Sequence, residues 1–338
     1  MMMRFLTLAV CAIGAGFGLE AGLTLRATAA APLALPPAPC WLESDTDPVI
    51  SYRGKAGAQR GNDRLNREGF RDDEPRPDHG QVRVALLGDS VVSGDDFATM
   101  TGHLATILET DLAPFAPGAE VINLGITGTN TVQQVALLEQ QRTQGERFDA
   151  VIIALNGGDA DPTYRLDEGC SLVPQGASEH VADAGSRLLR LLRVKGVMAL
   201  GRWHLDHLLA DRFLAGLADR VSPATDGNWA RVTSALGRLS RQGMPVGVLI
   251  TPYAAETQTQ RPTNPINQRL RQVVRTAKLP LLDLLPRLHG TPTYTTFVRQ
   301  NVLHISPAGY ARVRDDLRRF TRRLLTLRST WPTANLAE

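Results

Sequence analysis

The chain has 338 residues, longer than a usual single domain and short for two full ones. Hydrophobic residues make up 43% and charged residues 21%, which supports a sizeable core and excludes a disordered chain. The net charge of +3 is small and dispersed, and no nucleic-acid-binding motif accompanies it, so nucleic acid is set aside as a partner.

The first residues concern destination. After Met1-Met2-Met3-Arg4, the stretch from Phe5 to Leu25 carries one charged residue, Glu20. Residues 1–30 therefore read as an export signal or a membrane anchor. Ala27-Thr28-Ala29 suits cleavage, whereas the length of the apolar run suits an anchor, and both readings stand. Either one places the folded part in the cell envelope or outside the cell, with any membrane contact made through this segment. Cys11 lies inside the apolar stretch and leaves Cys40 and Cys170 for the body. Those two form one disulfide in an oxidising compartment, or stay as two buried thiols.

Residues 31–80 read as a linker and an irregular arm. Prolines at 32, 36, 37 and 39 make a stiff spacer, and Trp41 to Gly80 is polar with little periodicity.

The body, residues 81–328, alternates strands and helices, and a tail of 329–338 follows. Apolar runs predict strands over 81–88, 120–125, 149–155, 245–250 and 279–285. Helices are predicted over 101–112, 131–144, 265–277 and 307–327. The last of these carries Val313, Leu317, Phe320, Leu324 and Leu327 on one face, flanked by arginines. Near-continuous apolar strands alternating with helices imply an α/β fold with three α/β/α layers. Its five-stranded, mainly parallel sheet has a flavodoxin-like plan. Between the third and fourth strands, about 160–243 is too long for one crossover and reads as a helical insertion, with helical patterns at 187–197 and 204–217.

In an open parallel sheet, ligands bind beyond the carboxyl ends of the strands. Three polar, glycine-bearing turns fall there: Gly88-Asp89-Ser90, Gly125-Ile126-Thr127-Gly128 and Asn156-Gly157-Gly158-Asp159. A serine at such a turn can be exposed beside backbone N–H groups that stabilise an oxyanion. Its hydroxyl needs a base. Of seven histidines, His304 suits that role, sitting in a loop just before the last helix. Asp89, Asp159, Thr251 and Tyr253 are pocket candidates by position. His204 and His207 lack a third ligand, so no metal and no cofactor is expected.

These residues resemble the SGNH/GDSL hydrolases. Gly88-Asp89-Ser90 is similar to the first family block, and Val121-Ile122-Asn123-Leu124-Gly125 to the second. Asn156-Gly157-Gly158-Asp159 is similar to the third, and Asn301-Val302-Leu303-His304 to the last. Upstream, Asn66-Arg67-Glu68-Gly69-Phe70-Arg71 resembles an arm motif of membrane-anchored members. The resemblance implies Ser90 as nucleophile, His304 as base and Asn301 as its orienting partner. It also implies an oxyanion hole of Ser90 and Gly125, with Asn156 and Gly158 as the candidates from the third block, acting on an acyl ester or acylated glycan without a metal.

Two positions depart from the family pattern. Gly158 stands where the third block carries an asparagine, and Asn156 lies two residues earlier. Asn301 stands where the last block carries an aspartate. An amide can fix the imidazole tautomer but cannot stabilise the imidazolium as a carboxylate does. Two functions therefore compete: an exported ester hydrolase or transferase, and a catalytically silent domain that binds an envelope polymer or partner.

Overall fold

The structure is a computed structural model that describes residues 40–60, 62–77, 80–95, 100–175, 225–258, 264–298 and 301–327. Residues 1–30, expected to be an export signal or a membrane anchor, the helical patterns at 187–197 and 204–217 with His204 and His207, and the tail lie outside the described residues. Among the described residues, no helix is long and apolar enough to cross a membrane. From Trp41 onward they belong to one unit. Cys40 and Cys170 are both disulfide-bonded.

The arm opens with two antiparallel hairpins, β1 (Leu42–Ser44) with β2 (Tyr52–Gly54), and β3 (Gln59–Arg60) with β4 (Asp63–Arg64). The body begins with β5 (Arg83–Leu87), the one-turn helix α1 (Ser90–Ser93), α2 (Leu104–Leu112), β6 (Glu120–Asn123), α3 (Thr131–Thr143) and β7 (Ala150–Leu155). A hairpin of β8 (Tyr164–Leu166) and β9 (Leu172–Pro174) follows, then α4 (Asp226–Ser240) and β10 (Val246–Ile250). After them come α5 (Ala254–Thr257), α6 (Pro265–Thr276) and β11 (Leu281–Asp283). The chain then makes the pair β12 (Phe297–Val298) and β13 (Asn301–Ile305) and ends in α7 (Pro307–Thr326).

The central sheet is parallel throughout, in the order β6-β5-β7-β10-β11. Counted along the chain, this is the 2-1-3-4-5 order of flavodoxin-like folds, and the direction of winding reverses between β5 and β7. Every residue of β5, β7 and β10 is buried because helices cover both faces. Alternation assigns the faces. Val84, Leu86, Ile152 and Ala154 share a cluster with Leu104 and Leu108 of α2 and with Val313 and Leu317 of α7. On the opposite face α4 packs against α3 and α6. The last helix starts cleanly, because Ser306 Oγ accepts the Gly309 N–H at 3.1 Å and Pro307 occupies the first position.

Two local expectations change. The start of the segment between β7 and β10 is a strand hairpin rather than a helix. Asp167 closes its turn by accepting the Ser171 N–H at 2.7 Å, a local bond that competes with helix formation. The end of that segment, α4, is a layer helix of the body.

The arm is also more than an irregular lead-in. Leu42, Ile50, Tyr52, Leu65 and Phe70 are buried, and so are the polar Asn66 and Arg71. Asn66 folds the Asn-x-x-Gly-Phe-Arg motif around itself. Its Oδ1 accepts the N–H groups of Glu68 at 3.0 Å and Phe70 at 2.9 Å, and its Nδ2 donates to the Asp73 carbonyl at 3.1 Å. Gly69 sits at φ +86° against Gly54, and a Cβ on Gly54 would lie 1.9 Å from the Gly69 carbonyl oxygen. Backbone meets backbone there, so nothing can move aside. Gly54→Ala is expected to destabilise the protein by about 1–3 kcal/mol through overpacking, read as a lowered chemical-denaturation midpoint. A midpoint equal to wild type would refute the tight arm crossing.

Candidate active site

The carboxyl ends of β5 and β7 flank the point where the sheet reverses, and Ser90 follows β5 directly. His304 arrives from 214 residues away on β13, where it is 4% exposed, and its Nε2 lies 2.8 Å from Ser90 Oγ. For Ser90 to donate this bond, Nε2 must be the unprotonated ring nitrogen. The sequence pattern suggests a loop at His304. The structure places it in a short strand paired antiparallel with β12, which fixes the backbone that carries the ring. Asn301 opens the same strand, and its side chain lies outside the described residues.

Ser90 is the first residue of α1. Asp89 caps that helix, its Oδ1 accepting the Val91 N–H at 2.9 Å. The Ser90 N–H makes no hydrogen bond among the described residues and is available to an incoming oxygen. At its other end α1 is gripped by the arm. Arg71 donates to the Gly94 carbonyl and pairs with Asp63. Arg60 donates to Ser93 Oγ at 2.8 Å and Thr127 Oγ1 at 3.2 Å, pairs with Asp95, and stacks over Trp41 at 3.9 Å. Tyr52 donates to the Thr127 carbonyl at 2.9 Å. His103 packs on Gly94, and its imidazole is pushed down to about 4, first by burial and then by neighbouring Arg71.

The turn after β6 touches α1 so closely that a Cβ on Gly125 would lie 2.4 Å from the Ser93 nitrogen. Asn123 holds the two together. Its Nδ2 donates to the carbonyls of Val92 at 3.0 Å and Arg71 at 3.2 Å, and its Oδ1 accepts the Gly125 N–H at 2.9 Å. The N–H expected of Gly125 in an oxyanion hole is thus bonded to a neighbouring side chain.

The same holds beyond β7. Gly158 donates its N–H to Asn156 Oδ1 at 2.7 Å. Asn156 Nδ2 donates to Asp89 Oδ2 at 2.9 Å, and Tyr253 Oη donates to Asn156 Oδ1 at 2.8 Å. Asp159 is buried beneath this turn, accepting from the Asn156 N–H at 2.6 Å and from Thr131 Oγ1 at 2.8 Å. Burial, then the charge of Asp89, holds its carboxyl well above the usual range. Burial also raises Asp89. Thr251 is buried and turned to the end of β7, its Oγ1 donating to the Leu155 carbonyl at 3.3 Å.

A cleft of about 210 Å³ opens beside Asp89 and Gly158. Tyr253 forms part of its lining, with Gly128 and Thr129 from the second turn, Asp161 from the third, and Tyr164 and Leu172 from the β8–β9 hairpin. Among the described residues there is no cluster of side chains suited to a metal ion.

Of the residues singled out from sequence, Ser90, His304, Asp89, Gly125, Asn156, Gly158 and Tyr253 come together around the ends of β5, β6 and β7. Asp159 supports them from below, and Thr251 does not reach the cleft lining. Sequence reasoning missed Arg60, Arg71, Asn123 and His103, which hold α1. The arm motif at Asn66–Arg71 was the signal for Arg71. It also missed Glu256, which accepts the Tyr253 N–H at 2.7 Å and the Asn264 Nδ2 at 2.7 Å.

Burial pushes the Glu256 carboxyl up to about 7. The folded protein therefore keeps a proton that the unfolded chain releases near 4.5. The stability contributed by this group is full below that value and is lost as pH rises through about 7. Glu256→Gln is expected to flatten this fall, measured as the change in urea midpoint between about pH 5 and about pH 8. An unaltered fall would show that Glu256 is not its source.

The model of the GDSL-like Lipase/Acylhydrolase family matches residues 86–312. No curated protein matches the chain. Among solved structures the chain is similar to TesA, at 15% identity and a TM-score of 0.41, over 73% of this chain and 99% of that one. It is similar to a carbohydrate acetylesterase family member from Sinorhizobium meliloti, at 13% identity and a TM-score of 0.40, over 73% and 100% of the two chains. It is also similar to Axe2, an acetylxylan esterase from Geobacillus stearothermophilus, at 15% identity and a TM-score of 0.40, over 73% and 94%. The family match spans more than half of the sequence and runs from the end of β5 into α7: the chain belongs to the GDSL-like lipase/acylhydrolase family.

Proposed function

We propose that the chain is an exported serine ester hydrolase that removes or transfers an acyl group on a glycan or lipid of the cell envelope. The observation that carries this reading is the 2.8 Å approach of His304 Nε2 to Ser90 Oγ. Ser90 Oγ attacks the ester carbonyl carbon as its proton passes to Nε2. The carbonyl oxygen becomes an oxyanion facing the unengaged Ser90 N–H. The bond to the alcohol breaks, and the alcohol leaves with the proton from His304. Water, or a hydroxyl of an acceptor, then gives its proton to His304 and attacks the acyl-serine. Ser90 Oγ leaves and takes that proton back. An oxidising, extracytoplasmic setting is supported by the apolar first 25 residues and by the disulfide-bonded state of Cys40 and Cys170.

One observation favours a second reading, a silent domain that only binds: the N–H groups of Gly125 and Gly158 are both bonded to local side chains. Hydrolysis of an aryl acetate by the purified full-length protein, with a fluorophosphonate probe for the serine, separates the two. Ser90→Ala and His304→Ala are each expected to lower kcat by ~10³-fold or more while the protein stays folded by circular dichroism. Wild type and Ser90→Ala equally inert, with no probe labelling, would leave the binding reading. Arg60→Ala is expected to lower kcat about 10-fold with little change in KM, since it loosens α1 without touching the cleft lining.

A further inference from the structure

The β8–β9 hairpin forms one wall of the cleft beside Ser90, through Tyr164 and Leu172. Little inside the hairpin accounts for its order. Each strand has three residues, and none of the residues from 161 to 175 is fully buried. A two-stranded hairpin of that kind is marginal in water by itself. Pro174, paired with Tyr164, has no N–H to give to the ladder. Cys170 stands in the turn at φ +61°, a left-handed conformation that a residue with a Cβ keeps only where its surroundings impose it.

The anchors lie outside the hairpin. Leu172 packs on the second turn, where a Cβ on Gly128 would meet its Cδ1 at 2.7 Å. At the base, Asn130 Nδ2 donates to the Asp161 carbonyl at 3.1 Å and to Thr163 Oγ1 at 3.4 Å. Gln175 Nε2 donates to Ser51 Oγ at 3.3 Å. At the turn the anchor is covalent, because Cys170 is disulfide-bonded. The other cysteines of the chain are Cys11 and Cys40, so its partner lies before β1 and outside the hairpin.

We propose that the disulfide at Cys170 positions this wall of the cleft, so that breaking it releases the hairpin and weakens substrate binding while the Ser90–His304 pair stays in place. The proposal rests on the hydrolase reading above. The frame around Ser90 is bonded elsewhere: Asp89 caps α1, Asn123 joins α1 to the second turn, and Arg71 takes its far end. None of these bonds passes through residues 161–175. The cleft lining therefore depends on an oxidised pair of thiols that the reacting atoms do not need. A dithiol opens such a bond by exchange. Its two sulfurs join in a ring disulfide, and its two hydrogens pass to the cysteine sulfurs.

The test compares the full-length protein before and after dithiothreitol, with the freed thiols confirmed by mass after alkylation. Reduction is expected to raise KM for an aryl acetate at least ~5-fold with kcat kept within ~2-fold, since binding contacts are lost and the reacting pair is not. Amide hydrogen exchange across residues 163–175 is expected to quicken at least ~10-fold, while that of β5 and α1 stays unchanged. Cys170→Ser is expected to match the reduced protein in both measurements and to be indifferent to dithiothreitol. Whichever way of opening the bond leaves a folded protein decides. Unchanged exchange across the hairpin, or an unchanged KM once the bond is open, overturns the proposal and leaves the hydrolase reading intact. A fall in kcat together with faster exchange in β5 also overturns it, marking the disulfide as a general brace of the fold. Inertness of the oxidised protein towards the aryl acetate overturns the hydrolase reading and the binding role with it.

Discussion

Ser90 stands on a helix of four residues, and a helix of one turn cannot hold itself together. Fixing its dihedrals yields almost no internal hydrogen bonding, so its stability must come from outside. Much of the surrounding structure follows from that constraint. Asp89 supplies the cap at one end, and Asp89 is itself held by Asn156, Asn156 by Tyr253, and Tyr253 by Glu256. At the other end the Gly94 carbonyl takes Arg71, and Ser93 takes Arg60. From the side, Gly125 lets the next turn press against the helix, and Asn123 joins the two. A nucleophile placed this way spends little motion before it reacts, which is the condition under which positioning lowers a barrier.

The same economy shapes the polar groups near the reacting centre. Several donors that a bare reading of the turns offers to an oxyanion are bonded to neighbouring side chains instead. Asn156 lies close to the place of the family's third-block asparagine, yet its amide nitrogen serves the Asp89 carboxylate. The arrangement favours a rigid frame, with the helix N-terminus at Ser90 left open to a developing negative charge.

Much of the architecture was legible in the sequence, for local reasons. The strands at β5, β7 and β10 announce themselves as unbroken aliphatic runs because both faces of a parallel sheet are covered. Ser306-Pro307 marks the start of α7, and the positions of Val313, Leu317 and Leu324 give its buried face. Ser90 and His304 could be named because each adjoins such a readable element. The arm could not be read in this way. Its burial runs through Asn66, Arg71, Arg60 and Tyr52, whose partners are the carbonyls and hydroxyls of Asp73, Gly94, Ser93 and Thr127. Hydrogen bonds between distant segments leave no period in the sequence. The hairpin that carries Tyr164 and Leu172 hid for a similar reason, being three residues to a strand with its turn set by one aspartate.

The span from Ser90 to His304 also bears on how the protein comes into being. The two side chains that meet at 2.8 Å are separated by 214 residues, and the arm that steadies Ser90 bonds to a turn 67 residues beyond Arg60. Closing such long loops is entropically unfavourable until the contacts they bring form, which makes this a topology that folds slowly. During synthesis from the N-terminal end, the arm and Ser90 emerge long before β13 exists. The first of the paired residues waits, inert, for the last, and the site is assembled only when nearly the whole body has folded around it.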